Sequence, residues 1–94
     1  MRGILAMKLM MAILRKKDCE PVIQALVEGD FRVTRVASTG GFLRQGNVTL
    51  LIGTDEENVE SALEIIRTNV ADSDQPEQAR ATVFVLEVAQ FEQL

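Results

Sequence analysis

The chain contains no histidine, tryptophan or tyrosine, and a single cysteine, Cys19. Without histidine, most nucleophile–base pairs and every Cys/His zinc site are excluded. One cysteine rules out an intrachain disulfide framework and suits a reducing compartment. Cys19 itself reads as a small, semi-buried residue near a helix start rather than a reactive thiol. Four phenylalanines are the whole aromatic complement, so the core has to be aliphatic, built from Val, Ile, Leu and Met. A long apolar run is also missing. Residues 4–14 follow Arg2 in the manner of a signal peptide, but Lys8 interrupts them, Arg15-Lys16-Lys17 closes them, and no small-residue cleavage site appears. The stretch is too short to span a bilayer. The expectation is a soluble, cytoplasmic protein without membrane insertion, with a strand beginning near Met7 and residues 1–6 as an extension or an upstream start.

What is present is one domain, 1–94, with 47% apolar residues. A core that small has a thin margin, and contact between subunits buries surface that one short chain cannot. The net charge of −4 is unevenly spread. Residues 1–30 carry about +1 and residues 54–94 about −8, whereas residues 31–53 hold Arg32, Arg35 and Arg44 and no acid. An acid-free stretch with three arginines inside an acidic protein points to a small anionic ligand. Equally, the three arginines are solvated, or paired with the acidic helix that follows. Nucleic acid is excluded as a partner, because the surface as a whole repels a phosphate backbone.

Residues 8–14 are short, apolar and bounded by charge, which predicts a strand. Asp18 is expected to cap a helix with Pro21 in its early turn, Val22, Ile23, Leu26 and Val27 on one side and Gly29 as its stop. Residues 31–35 alternate, with Phe31 and Val33 on one face and Arg32 and Thr34 on the other. A glycine-containing loop, 39–46, precedes a second strand-like run, 47–53. Thr54 and Glu57 have capping-box spacing, and Val59, Ala62, Leu63, Ile66 and Val70 follow at helical intervals. A polar linker, 71–79, leads to a last strand, 81–88. The order β-α-β-β-α-β is the ferredoxin-like split pattern: an α+β sandwich of a four-stranded antiparallel sheet with two helices on one face. Leu9, Met11, Leu51, Val83 and Val85 make both strand faces apolar, which predicts an oligomer.

The chemistry concentrates in Phe31-Arg32-Val33-Thr34-Arg35-Val36-Ala37-Ser38-Thr39-Gly40-Gly41-Phe42-Leu43-Arg44-Gln45-Gly46-Asn47. Its glycines fit neither the dinucleotide pattern nor the P-loop, which needs a lysine after its last glycine. Paired glycines let backbone amides approach a ligand, Phe42 offers a flat apolar surface, and Arg32, Thr34 and Asn47 supply polar contacts. The set suits a ligand with both a base and a phosphate. Glu56, Glu57, Glu60 and Glu64 read as a solvated helix face, with no base–nucleophile pair among them.

That run, together with ARATVFVLEV and the closing Phe91-Glu92-Gln93-Leu94, resembles the PII-like cyclic di-AMP receptors from Met7 onward, without gaps to about Val70. The resemblance implies a ferredoxin-like homotrimer with cyclic di-AMP in clefts between subunits, no catalytic activity and no cofactor. It also implies signalling to a partner protein by loop rearrangement; the sequence does not identify that partner. Carried over by position, Arg32, Val33 and Thr34 match contacts to phosphate and base. Gly41, Phe42 and Leu43 match the loop lining an adenine pocket, and Asn47 and Gly53 match positions on the third strand. Phe84 and Gln93 match contacts from across the cleft. Two positions depart from the pattern. Asp30 stands where the family usually has Asn, and residues 71–79 replace a long glycine- and proline-rich loop. A trimeric scaffold without ligand, or a binder of another adenine nucleotide such as ATP, are the alternative readings.

Overall fold

The computed structural model describes residues 7–36, 46–71 and 80–94. Strand β1 (Met7–Arg15) leads into helix α1 (Lys16–Glu28), then β2 (Arg32–Val36) and β3 (Asn47–Asp55). A 3-10 turn, Glu56–Asn58, precedes helix α2 (Val59–Asn69), and β4 (Ala81–Glu87) closes the sheet. The strands run in the order β2-β3-β1-β4 with every pairing antiparallel, the ferredoxin-like arrangement expected from the sequence. Among the described residues no helix is long and apolar enough to cross a membrane.

The period-two alternation decides which side of the sheet is covered. Met10, Ala12 and Leu14 on β1 and Val48, Leu50 and Ile52 on β3 are buried against Val22 and Leu26 of α1 and Ala62 and Ile66 of α2. Val33, Val83 and Val85 share that side by register, whereas Leu9, Met11 and Leu51 fall on the other. Full burial of a Leu, Ile or Met side chain contributes about 1.5–3 kcal/mol, so this single layer supplies most of the stability.

Four local expectations are corrected. The residue before α1 is Arg15, in extended conformation, and Asp18 does not cap the helix. Asp18 is instead a buried first-turn carboxylate that accepts from the Arg15 guanidinium at 2.9 Å and from the Ala71 amide at 3.0 Å, while Arg15 also donates to the Ala71 carbonyl. The helix starts earlier because β1 runs straight into it, so Pro21 falls in the second turn, where it lacks the N–H that would bond the Lys17 carbonyl.

Val27 is 56% exposed, since it follows the inward-facing Leu26 by about 100° around the helix. Gly29 ends α1, but with φ −87°. The left-handed residue is Asp30, φ 69°: its N–H bonds the Val27 carbonyl and the Phe31 N–H bonds the Leu26 carbonyl, the double closure of a Schellman motif. Gly29 serves close packing, because a Cβ there would stand 3.0 Å from Ile65 Cδ1.

Finally, Thr54 and Glu57 form no capping box. Pairing with β1 continues to Met7↔Asp55, which keeps Thr54 in the strand and buried, and no side chain caps α2.

Candidate functional site

The sheet face away from the helices carries most of the predicted ligand contacts. Following register across the four strands, Thr34, Leu51, Met11 and Phe84 form one row, and Arg32, Gly53, Leu9 and Leu86 form the next. Asn47 lies on the same face, opposite Arg15. Val33 does not. Its side chain packs against the core on the helix side, so it offers a ligand on the open face only main chain, from a strand at the edge of the sheet. Gly41, Phe42 and Leu43 lie outside the described residues.

Three predicted residues converge. Arg32, Gly53 and Gln93 line one cleft of about 630 Å³, together with Asp30, Asn58 and Phe91. The C-terminal segment forms one wall, the start of β2 and end of β3 the floor, and the entry to α2 the rim. Four described predicted residues do not line this cleft within one subunit: Val33 and Thr34, next along β2, and Phe84 and Asn47, which stand well apart from it. Phe84 stands on the far edge strand, three strand spacings from Thr34, or about 14 Å. Asn47 is six residues along β3 from Gly53, or roughly 20 Å.

The electrostatics separate the arginines that composition alone left equal. Arg35 pairs with Glu20 of the preceding helix at 3.3 Å, not with the acidic helix that follows. Arg32 is exposed and, among the described residues, has neither ion pair nor hydrogen bond from its guanidinium. Of the two described arginines within residues 31–53 it is the one with its donors unused beside a cleft; Arg44 lies outside the described residues. Gly53 is equally informative. It does not end its strand, and a Cβ built on it meets nothing within 4 Å. Packing therefore does not require glycine there, and the missing side chain leaves a notch between Arg32 and Leu9.

Other charged groups are structural. The Lys8 ammonium contacts Glu87 at 3.2 Å and Glu56 at 3.3 Å, and the Glu87 hydrogen bond is the main cause of its raised pKa. Burial pushes the Cys19 thiol above its ordinary value, which keeps it protonated and unreactive. No group of three or more acidic, thiol or imidazole ligands gathers for a metal among the described residues.

Sequence reading missed Asn58, Ser61 and Phe91 as cleft residues. The first two were absorbed into the presumed capped helix. The signal for Phe91 was an aromatic in an otherwise polar tail.

Fold and cleft together define a small ferredoxin-like protein with an open, partly apolar sheet face and, at its edge, an arginine without an ion pair among the described residues. The sequence pattern described as cyclic-di-AMP receptor matches residues 7–79. A crystal structure of a functionally unknown protein from Pediococcus pentosaceus ATCC 25745 is 35% identical, with a TM-score of 0.77, over 96% of this chain and 99% of that one. The chain belongs to the cyclic-di-AMP receptor family.

Proposed function

We propose that this protein is a non-catalytic signal-transduction module that binds cyclic di-AMP between neighbouring subunits of a homotrimer and relays occupancy by loop rearrangement to a partner protein. The observation that carries the reading is the meeting of Arg32, Gly53 and Gln93 in one cleft of a chain from this family. Arg32 brings free donors suited to a phosphodiester, and the Gly53 notch admits a flat ring against the sheet.

Assembly explains the residues left apart. Phe84 and Leu86 are 52% and 44% exposed on the far edge, a large apolar surface for a monomer to leave in water. A neighbour docked on this face brings its own Phe84 towards the Arg32 end of the next subunit, so each cleft is completed in trans. Thr34 and Asn47 then serve as polar contacts on the same face, and Gly41, Phe42 and Leu43 as the loop over the base. Binding rather than catalysis fits a chain with no histidine and a thiol held neutral by burial.

Sedimentation of the purified protein with and without cyclic di-AMP, beside a calorimetric titration, tests this. The expected result is a trimer that takes up one ligand per subunit. A monomer, or a trimer silent to the ligand, overturns it.

A further inference from the structure

Among its described lining residues the cleft is short of positive charge. Arg32 is the one cation among its described lining residues, and it shares that lining with two carboxylates, Asp30 and Asp55. A pocket built for a triphosphate gathers several cations and backbone amides, whereas the described lining of this one holds a single arginine with Asp30 two residues before it.

Asp30 is the carboxylate with no structural duty. Its backbone closes α1 in the left-handed region through main-chain bonds alone. Among the described residues its side chain has no hydrogen bond or ion pair. A carboxylate at the C-terminal end of a helix also opposes the helix dipole, so its place in the turn does not favour the negative charge. It lies two residues before Arg32, in the same cleft.

Resting on the function proposed above, we infer that Asp30 is a specificity residue that sets a ceiling on ligand charge. It admits the singly charged phosphodiesters of a cyclic dinucleotide and disfavours phosphomonoesters and polyphosphates. The discrimination follows from charge count. Each cyclic phosphodiester carries one negative charge with no second ionisation, whereas a phosphomonoester carries about −1.5 to −2 at pH 7. Hydrolysis of one diester of a cyclic dinucleotide takes up water, breaks one P–O bond and opens the ring, leaving a 3′-hydroxyl and a 5′-phosphomonoester; the bases are unchanged and about 0.5 to 1 negative charge is added. Arg32 neutralises one diester, and Asp30 then repels what is in excess. The protein thereby distinguishes an intact cyclic signal from its hydrolysis product and from ATP.

Parallel titrations test this, using cyclic di-AMP, the linear 5′-phosphorylated diadenylate and ATP against the wild type, Asp30→Asn, Asp30→Gly and Glu64→Gln. Both Asp30 variants suit a left-handed position, so the backbone is kept, and Glu64→Gln removes one charge from an exposed site on α2 away from the cleft. The expected result at low salt is that Asp30→Asn and Asp30→Gly strengthen the linear dinucleotide and ATP by about three- to tenfold and cyclic di-AMP by less than about twofold, with the difference shrinking near 0.5 M salt. Glu64→Gln leaves the ratio unchanged. An unchanged ratio in both Asp30 variants, an equal gain for all three ligands, or the same gain in Glu64→Gln overturns the assignment while leaving the cyclic di-AMP reading intact. Failure of the wild type and both Asp30 variants to bind cyclic di-AMP overturns that reading itself.

Discussion

Arg32 stands directly opposite Gly53 across the β2–β3 pair, and the position of a Cβ on Gly53 is empty to a distance of 4 Å. A glycine in mid-strand costs roughly 0.5–1 kcal/mol relative to a residue with a side chain, and no tight packing repays that cost here. Gly53→Val is therefore expected to raise Tm by roughly 2–8 °C while filling the notch beside Arg32. Thermal melts and a cyclic di-AMP titration on the same preparation check this. A fall in Tm, or undiminished binding, contradicts the assignment of Gly53 to the ligand.

Asp18 ties three elements together. It is 3% exposed and is the hub between Arg15, at the β1–α1 junction, and the main chain of Ala71 just beyond α2. Asp18→Ala leaves a partly buried guanidinium and an amide without their acceptor, and is expected to cost about 2–4 kcal/mol in chemical denaturation. Hydrogen exchange at the Ala71 amide should speed up more than exchange in the middle of β1. A cost below about 0.5 kcal/mol would mark the contact as incidental.

The left-handed conformation at Asp30 makes its own prediction for stability. Asp30→Val forces a β-branched residue to φ 69° and is expected to lose about 1–2 kcal/mol. Asp30→Asn keeps the turn and removes a charge that opposes the dipole, for a gain of about 0.3–1 kcal/mol. Urea denaturation of the two variants should bracket the wild type.

Cys19 provides a pH test. Burial raises its folded pKa above the ordinary value of 9.0, so the folded state keeps the proton at pH values where the unfolded chain has lost it. The contribution of this group is complete below about pH 9 and is lost as pH rises through the folded value. Native protein at pH 8 should resist a thiol reagent that modifies it rapidly in denaturant, and Cys19→Ala should flatten the alkaline fall in stability. Rapid labelling of the folded protein contradicts the burial.

The fold was legible because each element carried its own start or stop signal. The charge-bounded apolar run 8–14 and the strand-like run 47–53 marked β1 and β3, and the spacing of Ala62 and Ile66 oriented α2. Element ends were less legible, because tertiary pairing overrode local signals. Thr54 was held in β3 by Lys8 across the pair, and Asp18 was taken by Arg15 and Ala71. In the site, residue type alone separated polar contacts from core for Arg32 and Thr34. Alternation set Val33 on the face opposite Arg32 and Thr34, but nothing local showed that Asn47 and Phe84 sit far from Arg32 in one subunit or that Phe91 closes the cleft. Those facts depend on register and on the path of the tail, neither of which has a local signature.

In the proposed function Arg32 holds a cyclic di-AMP phosphodiester in this cleft. Isothermal titration of wild type and Arg32→Ala with cyclic di-AMP tests it most directly, since Arg32 has no partner among the described residues whose loss would unfold the chain. Saturable binding by the wild type and a loss of at least about tenfold in Arg32→Ala are expected, with Tm of the free protein unchanged. Equal affinity in the two proteins would contradict it.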